Sequence, residues 1–278
     1  MSLDVELHFK KPLFGKGIRL TMNDFLLKEA GYGIPDSGNR LEEGKCEEGF
    51  FIVYHKEYPG RGFNVEHEPD FSYAALSLNI PCTSADLHLF FATVGNILLT
   101  RKNYTATIDG QPLNKNNLRG YWEGHMEYNR KYVEHLHENL GGNETTVLFG
   151  IYHPMTLGEK EMTQIRDQES FDSWVYENQK TDAFFTACTV YADPDGVLEG
   201  RYFVFKDLVC IVPKKPYLPF GMRLKDGYTK DDVRRFVVCV GDSEGKKIIN
   251  EYEYEDFLRT YSDRLIYFDA NHYLIQSV

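Results

Sequence analysis

The chain has 278 residues, 42% of them hydrophobic and 14% aromatic, enough for one large domain or two small ones around a core of ordinary size. With 19 Phe and 19 Tyr it is not a disordered chain. Its formal charge of −11, from 42 acidic against 31 basic residues, argues against free nucleic acid as a partner, because affinity for a phosphate backbone rests on basic side chains.

The basic clusters are pairs: Lys10-Lys11, Arg101-Lys102, Lys214-Lys215, Arg234-Arg235 and Lys246-Lys247. None forms a stripe with interleaved aromatics. The opening MSLDVELHFKK alternates apolar and polar residues, so no signal peptide is expected. The longest mainly apolar stretch, Leu87 to Leu99, is broken by His88, Thr93, Gly95 and Asn96. It is too short to span a bilayer, and no membrane partner is expected. Five cysteines without a CxxC pair argue against a disulfide framework and a zinc ribbon. The expectation is a reduced, cytoplasmic protein.

In chain order, Val5, Leu7 and Phe9 alternate with polar residues as a half-buried strand. TMND matches a capping box, Thr21 with Asp24, opening a short helix stopped by Gly31 and Gly33. Residues 33 to 48 then read as a loop. Strands are expected at 50–55, in GFNVEHE and in SYAALSLNI. A helix capped by Ser84 carries the stripe Leu87, Phe90, Phe91, Val94 and Leu98. YTATIDGQPL reads as a strand entering a turn.

The stretch 121 to 140 reads as a helix with Trp122, Met126, Val133, Leu136 and Leu140 on one face and Asn129 among them. TTVLFGIY reads as a strand. TLGE, Thr156 with Glu159, looks like a second capping box before helix from 157 to 180, broken near Ser170. A hairpin is expected around Asp193-Pro194-Asp195-Gly196. DLVCIVP and RRFVVCV read as buried strands. TKDD starts a short helix, Tyr254 to Tyr261 stripe another, and RLIYFDANHYLI closes as two short strands. Short turns join most strands, so the fold class is α+β: mixed, largely antiparallel sheets with several short helices packed on them. The expected halves are 1–142 and 143–278, meeting at Gly141-Gly142, with a single domain as the alternative.

The densest titratable stretch is EGHMEYNRKYVEHLHENLGG. His135 and His137 lie two apart, about 200° around a helix, and do not grip one ion. Glu134 and His137, at i,i+3, share a helix face; Asp269 and His272 have the same spacing but lie in an expected turn. A di-iron bundle needs two such elements plus two further glutamates, and a second copy on a helix is missing. The expectation is no metal and no cofactor. DPDGVLEG places Gly too early for a calcium loop. The glycine-rich spots complete no phosphate-binding motif, and neither G-x-S-x-G nor HExxH occurs. Cys82, just before a helix, is the best-placed thiol, since a helix N-terminus lowers a thiol pKa.

The segment HFKKPLFGKGIRLTMNDFLLKEAGY resembles the opening of a group of uncharacterised Gram-positive bacterial proteins that carry a domain-of-unknown-function label. The resemblance implies a bacterial cytosolic protein and supplies no activity. Two readings of function follow. The first is a non-enzymatic protein that binds a protein partner or a small ligand. The alternative is a hydrolase-type enzyme assembled in the fold from Glu134, His137, Asp269 and His272.

Overall fold

The computed structural model describes residues 1–14, 17–36, 41–139, 145–192, 197–219, 222, 224, 227–242, 244–276 and 278, and the side chains of these except residues 137 and 139. The chain forms two compact units. Of the described residues, the first comprises Met1–Asp36, those from Leu41 to Met155 and Glu159–Lys180; the second comprises Thr156–Gly158 and those from Thr181 to Val278. The expected boundary at 142/143 and the expected turn at 193–196 lie outside the described residues.

In chain order the elements are β1 (Ser2–Phe9), β2 (Ala30–Pro35), β3 (Leu41–Glu43), β4 (Phe50–His55), β5 (Phe63–His67), β6 (Tyr73–Asn79), α1 (Ser84–Thr100), β7 (Tyr104–Ile108), β8 (Gln111–Leu113), α2 (Leu118–Glu134), α3 (Leu136–Asn139), β9 (Thr146–Phe149), β10 (Pro154–Leu157), α4 (Glu159–Gln164) and α5 (Gln168–Gln179). There follow β11 (Phe184–Phe185), β12 (Thr189–Ala192), β13 (Leu198–Phe205), β14 (Val209–Pro213), β15 (Val233–Gly241), β16 (Ile248–Glu253), α6 (Tyr254–Thr260), β17 (Leu265–Tyr267) and β18 (His272–Gln276). The fold is α+β, with mostly antiparallel sheets.

The first unit is built on one sheet of order β3-β2-β4-β5-β6-β1-β7-β8, every adjacent pair antiparallel. Alternation sets its register. Leu3, Val5 and Leu7 of β1 and Ala74, Leu76 and Leu78 of β6 all turn to the core, and a slip of one residue would turn each set outward. Helix α1 packs Leu87, Phe90, Phe91, Val94 and Ile97 into the same core. No described helix is long and apolar enough to cross a membrane.

The second unit has two four-stranded sheets, β12-β13-β15-β16 and β11-β14-β18-β17. The pairs β13–β15 and β11–β14 are parallel, the remainder antiparallel. Its core gathers Tyr202, Val204, Cys210, Val212, Val238, Val240, Phe257 and Ile275.

Several local expectations change. Thr83, not Ser84, caps α1: its hydroxyl accepts from Asp86 N and donates to the Asp86 carboxylate, a three-residue spacing that Ser84 lacks. The TMND box holds, but closes only a 3₁₀ turn over Met22–Phe25. Gly31 and Gly33 stop no helix; they lie in β2, where a Cβ on Gly31 would sit 2.5 Å from Tyr54 Cζ. Their role is close packing between strands. Thr156 lies in β10 instead of capping α4, and the helical stretch breaks at residues 165–167, where Asp167 caps α5.

Candidate functional site

Among the described residues, each unit holds a polar cluster that bears on the sequence candidates. In the second unit the β17–β18 turn brings Asp269 and His272 together, both fully buried. His272 Nδ1 lies 2.8 Å from Asp269 Oδ1, which also accepts from Asn271 N at 2.9 Å. Asp269 Oδ2 accepts from Thr156 N at 2.9 Å. With Nδ1 donating to the carboxylate, Nε2 is left to accept from the Tyr217 hydroxyl at 3.1 Å. Burial first, then the Asp269 charge, pushes the Tyr217 phenol well above its ordinary range, so it stays protonated and donates. The backbone of Tyr217 is held as well, its N–H donating to Tyr202 Oη at 2.7 Å while the Tyr202 hydroxyl donates to its carbonyl at 2.5 Å.

This chain resembles an acid–base relay in its connectivity. It differs in its last member, a phenol that resists ionisation, and in its saturation. Both Asp269 oxygens and both imidazole nitrogens already have partners, which is what a buried polar group requires for stability. Phe185 packs edge-on to the His272 ring at 5.5 Å. The other two sequence candidates lie elsewhere. Glu134 belongs to the first unit and pairs with Arg130 at 2.5 Å on the surface of α2. The His137 side chain lies outside the described residues. Among the described residues no group of three His, Cys, Asp or Glu is placed to hold a metal ion.

In the first unit a cleft of about 560 Å³ runs along α2. Arg119, Trp122, Glu123, Met126, Glu127 and Arg130 line it. They recur at the three- and four-residue steps that place side chains on one helix face. Ser84, Asn129 and Gln168 complete the wall. Trp122 and Met126 are half-buried and supply the apolar floor, while the charges pair among themselves: Arg119 with Glu123 at 2.7 Å, Arg130 with Glu127 at 2.8 Å. Hydrogen bonds from Arg130 and then Lys131 hold the exposed Glu127 carboxyl down at about 2.

The wall is fixed by one buried amide. Asn129, 2% exposed, accepts from Cys82 N at 3.1 Å and donates to Cys82 O at 2.9 Å and Gln168 Oε1 at 2.8 Å. Gln168 in turn donates to Cys82 O and to Asp172, and Asp172 accepts from Ser84 N at 3.1 Å. One polar lattice thus joins the start of α1 to α2 and α5. A polar residue inside the apolar stripe of α2 was visible in the sequence; the residues it ties were not, because they lie 39 and 47 positions away.

Its position before a helix does not activate Cys82. It is completely buried, and burial, then the Asp86 carboxylate, raise its thiol pKa far above the ordinary value. The nearby helix terminus does not compensate, because Thr83 and Asp86 already cap it.

A family model described as Domain of unknown function (DUF4299) matches residues 2–278. The chain belongs to the DUF4299 family. The match spans both units, so the cleft and the buried relay sit within the extent of one DUF4299 domain. No curated protein matches the sequence. No solved structure matches it.

Proposed function

We propose that this DUF4299 protein works by binding and not by turnover, and that the cleft along α2 receives a segment of a partner protein. The observation that carries the reading is the cleft itself: an apolar floor of Trp122 and Met126 between self-paired charges. From Arg119 to Arg130 it runs about 16 Å at 1.5 Å per residue, long enough for a peptide segment to lie along it. Because its arginines and glutamates neutralise one another, it favours a segment with an apolar side chain over a strongly charged one. The saturated Asp269–His272–Tyr217 chain supports the same reading, since a relay with no free atom serves as a structural tie. Five free thiols, four of them buried, support a reducing compartment.

The test places a photo-crosslinking residue at Met126 and, as a control, at exposed Tyr191. A discrete adduct is expected from position 126 alone and is lost in Trp122→Ala. Adducts from both positions, or from neither, overturn the reading. So does a steady catalytic turnover abolished by His272→Gln in a variant that remains folded.

A further inference from the structure

We infer that β16 is the seam of a homodimer, in which two copies of this chain pair their β16 strands antiparallel and join two four-stranded sheets into one. In the sheet β12-β13-β15-β16 this strand is outermost. It pairs with β15 on one side, Val237 to Val240 against Glu253 to Asn250, and among the described residues no strand lies on its other side. Six residues long, it presents an outer row of backbone N–H and C=O groups to water, a template for a further strand. It is also apolar where an edge is usually polar: Ile248 is 46% exposed and Ile249 is 47% exposed. The ladder to β15 passes from Asn250 to Ile248, so Ile249 is an extra residue with no opposite number there. Such a bulge guards an edge against indiscriminate pairing, and side chains then decide which strand is admitted.

Charge selects the occupant. The stretch KKIINEYE, residues 246–253, is basic at one end, apolar next and acidic at the other end. Laid antiparallel on its own copy, it sets each basic end against the other's acidic end and brings the isoleucines together. Laid parallel, it sets like charges opposite one another, which destabilises a strand pair. Lys246, Lys247, Glu251 and Glu253 are all exposed. The basic end is held in place: Lys246 N donates to Asp242 Oδ1 at 2.8 Å, and Asp242 N donates to Lys247 O at 2.9 Å. Local ion pairs orient these charges without burying them. Lys246 meets Glu244 at 2.6 Å, Glu251 lies 3.5 Å from Arg201, and Glu253 meets Arg235 at 2.5 Å. The opposite edge, β12, has no charged residue to match, and joining β16 to β12 would build an open row of copies instead of a closed pair. A six-residue strand pair is smaller than a standard interface, so the dimer is a weak one that dissociates on dilution.

The experiment is sedimentation velocity of the full chain through a dilution series, with two charge-reversed variants. Lys246→Glu/Lys247→Glu makes the strand acidic at both ends, and Glu251→Lys/Glu253→Lys makes it basic at both. Each alone sets like charges opposite one another and is expected to weaken the dimer roughly tenfold or more. Mixed in equal amounts, the two variants are expected to recover the wild-type association as a heterodimer, which damage to the fold of either would not produce. Ile249→Lys, at an exposed position, is expected to weaken the dimer roughly tenfold as well, and carries the test if the glutamate variant fails to fold. Thermal unfolding of each variant reads the fold. A wild-type chain that is monomeric at about 300 μM, far above a micromolar constant, overturns the inference. So does a dimer that Ile249→Lys and the lysine variant leave unchanged, a mixture of two folded variants that stays monomeric, or assembly that runs past the dimer.

Discussion

Asn129 is the residue on which the cleft wall depends, and two substitutions separate its roles. Asn129→Ala deletes a weak hydrogen bond accepted from Cys82 Sγ and three stronger ones, with Cys82 N, Cys82 O and Gln168 Oε1. At about 1 kcal/mol for each of the three, with about 1 kcal/mol more for the Cys82 N–H left buried and unpaired, the cost is about 4 kcal/mol. Asn129→Asp keeps the acceptor for Cys82 N but turns a carboxylate oxygen toward two acceptors. The folded state then resists ionisation, so the new carboxyl has a raised folded pKa. Below the unfolded pKa of about 4 it is protonated in both states and the deficit is smallest. As pH rises through the window up to the folded pKa, the unfolded state ionises first and the deficit grows. Urea denaturation of wild type and both variants across pH 4 to 8 measures this directly. If both variants fall within about 1 kcal/mol of wild type at neutral pH, the lattice does not hold the wall. If the Asn129→Asp deficit narrows as pH rises, the donor assignment is wrong.

Two further outcomes follow from burial. In the native protein only Cys46 should react quickly with a thiol reagent, because Cys82, Cys188, Cys210 and Cys239 are buried and burial raises the Cys188 thiol to about 12 and the Cys239 thiol to about 11; fast labelling of a second thiol without denaturant would contradict this. Asp269→Asn replaces an acceptor for Thr156 N, Asn271 N and His272 Nδ1 with a group that must turn an N–H toward one of them, and should cost about 2–4 kcal/mol in chemical denaturation. An unchanged midpoint would mean that the buried chain is not structural.

What the sequence disclosed was local. The alternation of β1, the Thr21–Asp24 box, the α1 stripe and the hairpin at β17–β18 depend on neighbours a few residues away, and each stands in the structure. The Asp269–His272 pairing at i,i+3 belongs to the same class. Tyr217 and Thr156, the partners that make that pair a closed chain, lie 55 and 113 positions from the residues they bond. The parallel pairing of β13 with β15 is equally hidden, because an apolar run carries no mark of its neighbour's direction. The state of Cys82 was hidden for a related reason: a helix terminus is visible in sequence, whereas the burial that dominates its thiol is a tertiary property. Nothing in the spacing of Arg119 and Arg130 announces a cleft, and only the fold aligns them along one.

The brief detour at Thr156–Gly158 governs how this protein can be cut. The chain contributes those three residues to the second unit, returns to the first for Glu159–Lys180, and only then enters the second for good. A fragment beginning at Thr181 therefore lacks Thr156, whose N–H donates to Asp269 and whose carbonyl accepts from Ala270 N. A fragment ending at Lys180 retains Thr156 but loses both partners. No single scission yields two self-sufficient pieces, so a nick between them leaves either half with a severed thread, and shuffling either unit into another protein would require carrying a donated tripeptide along with it.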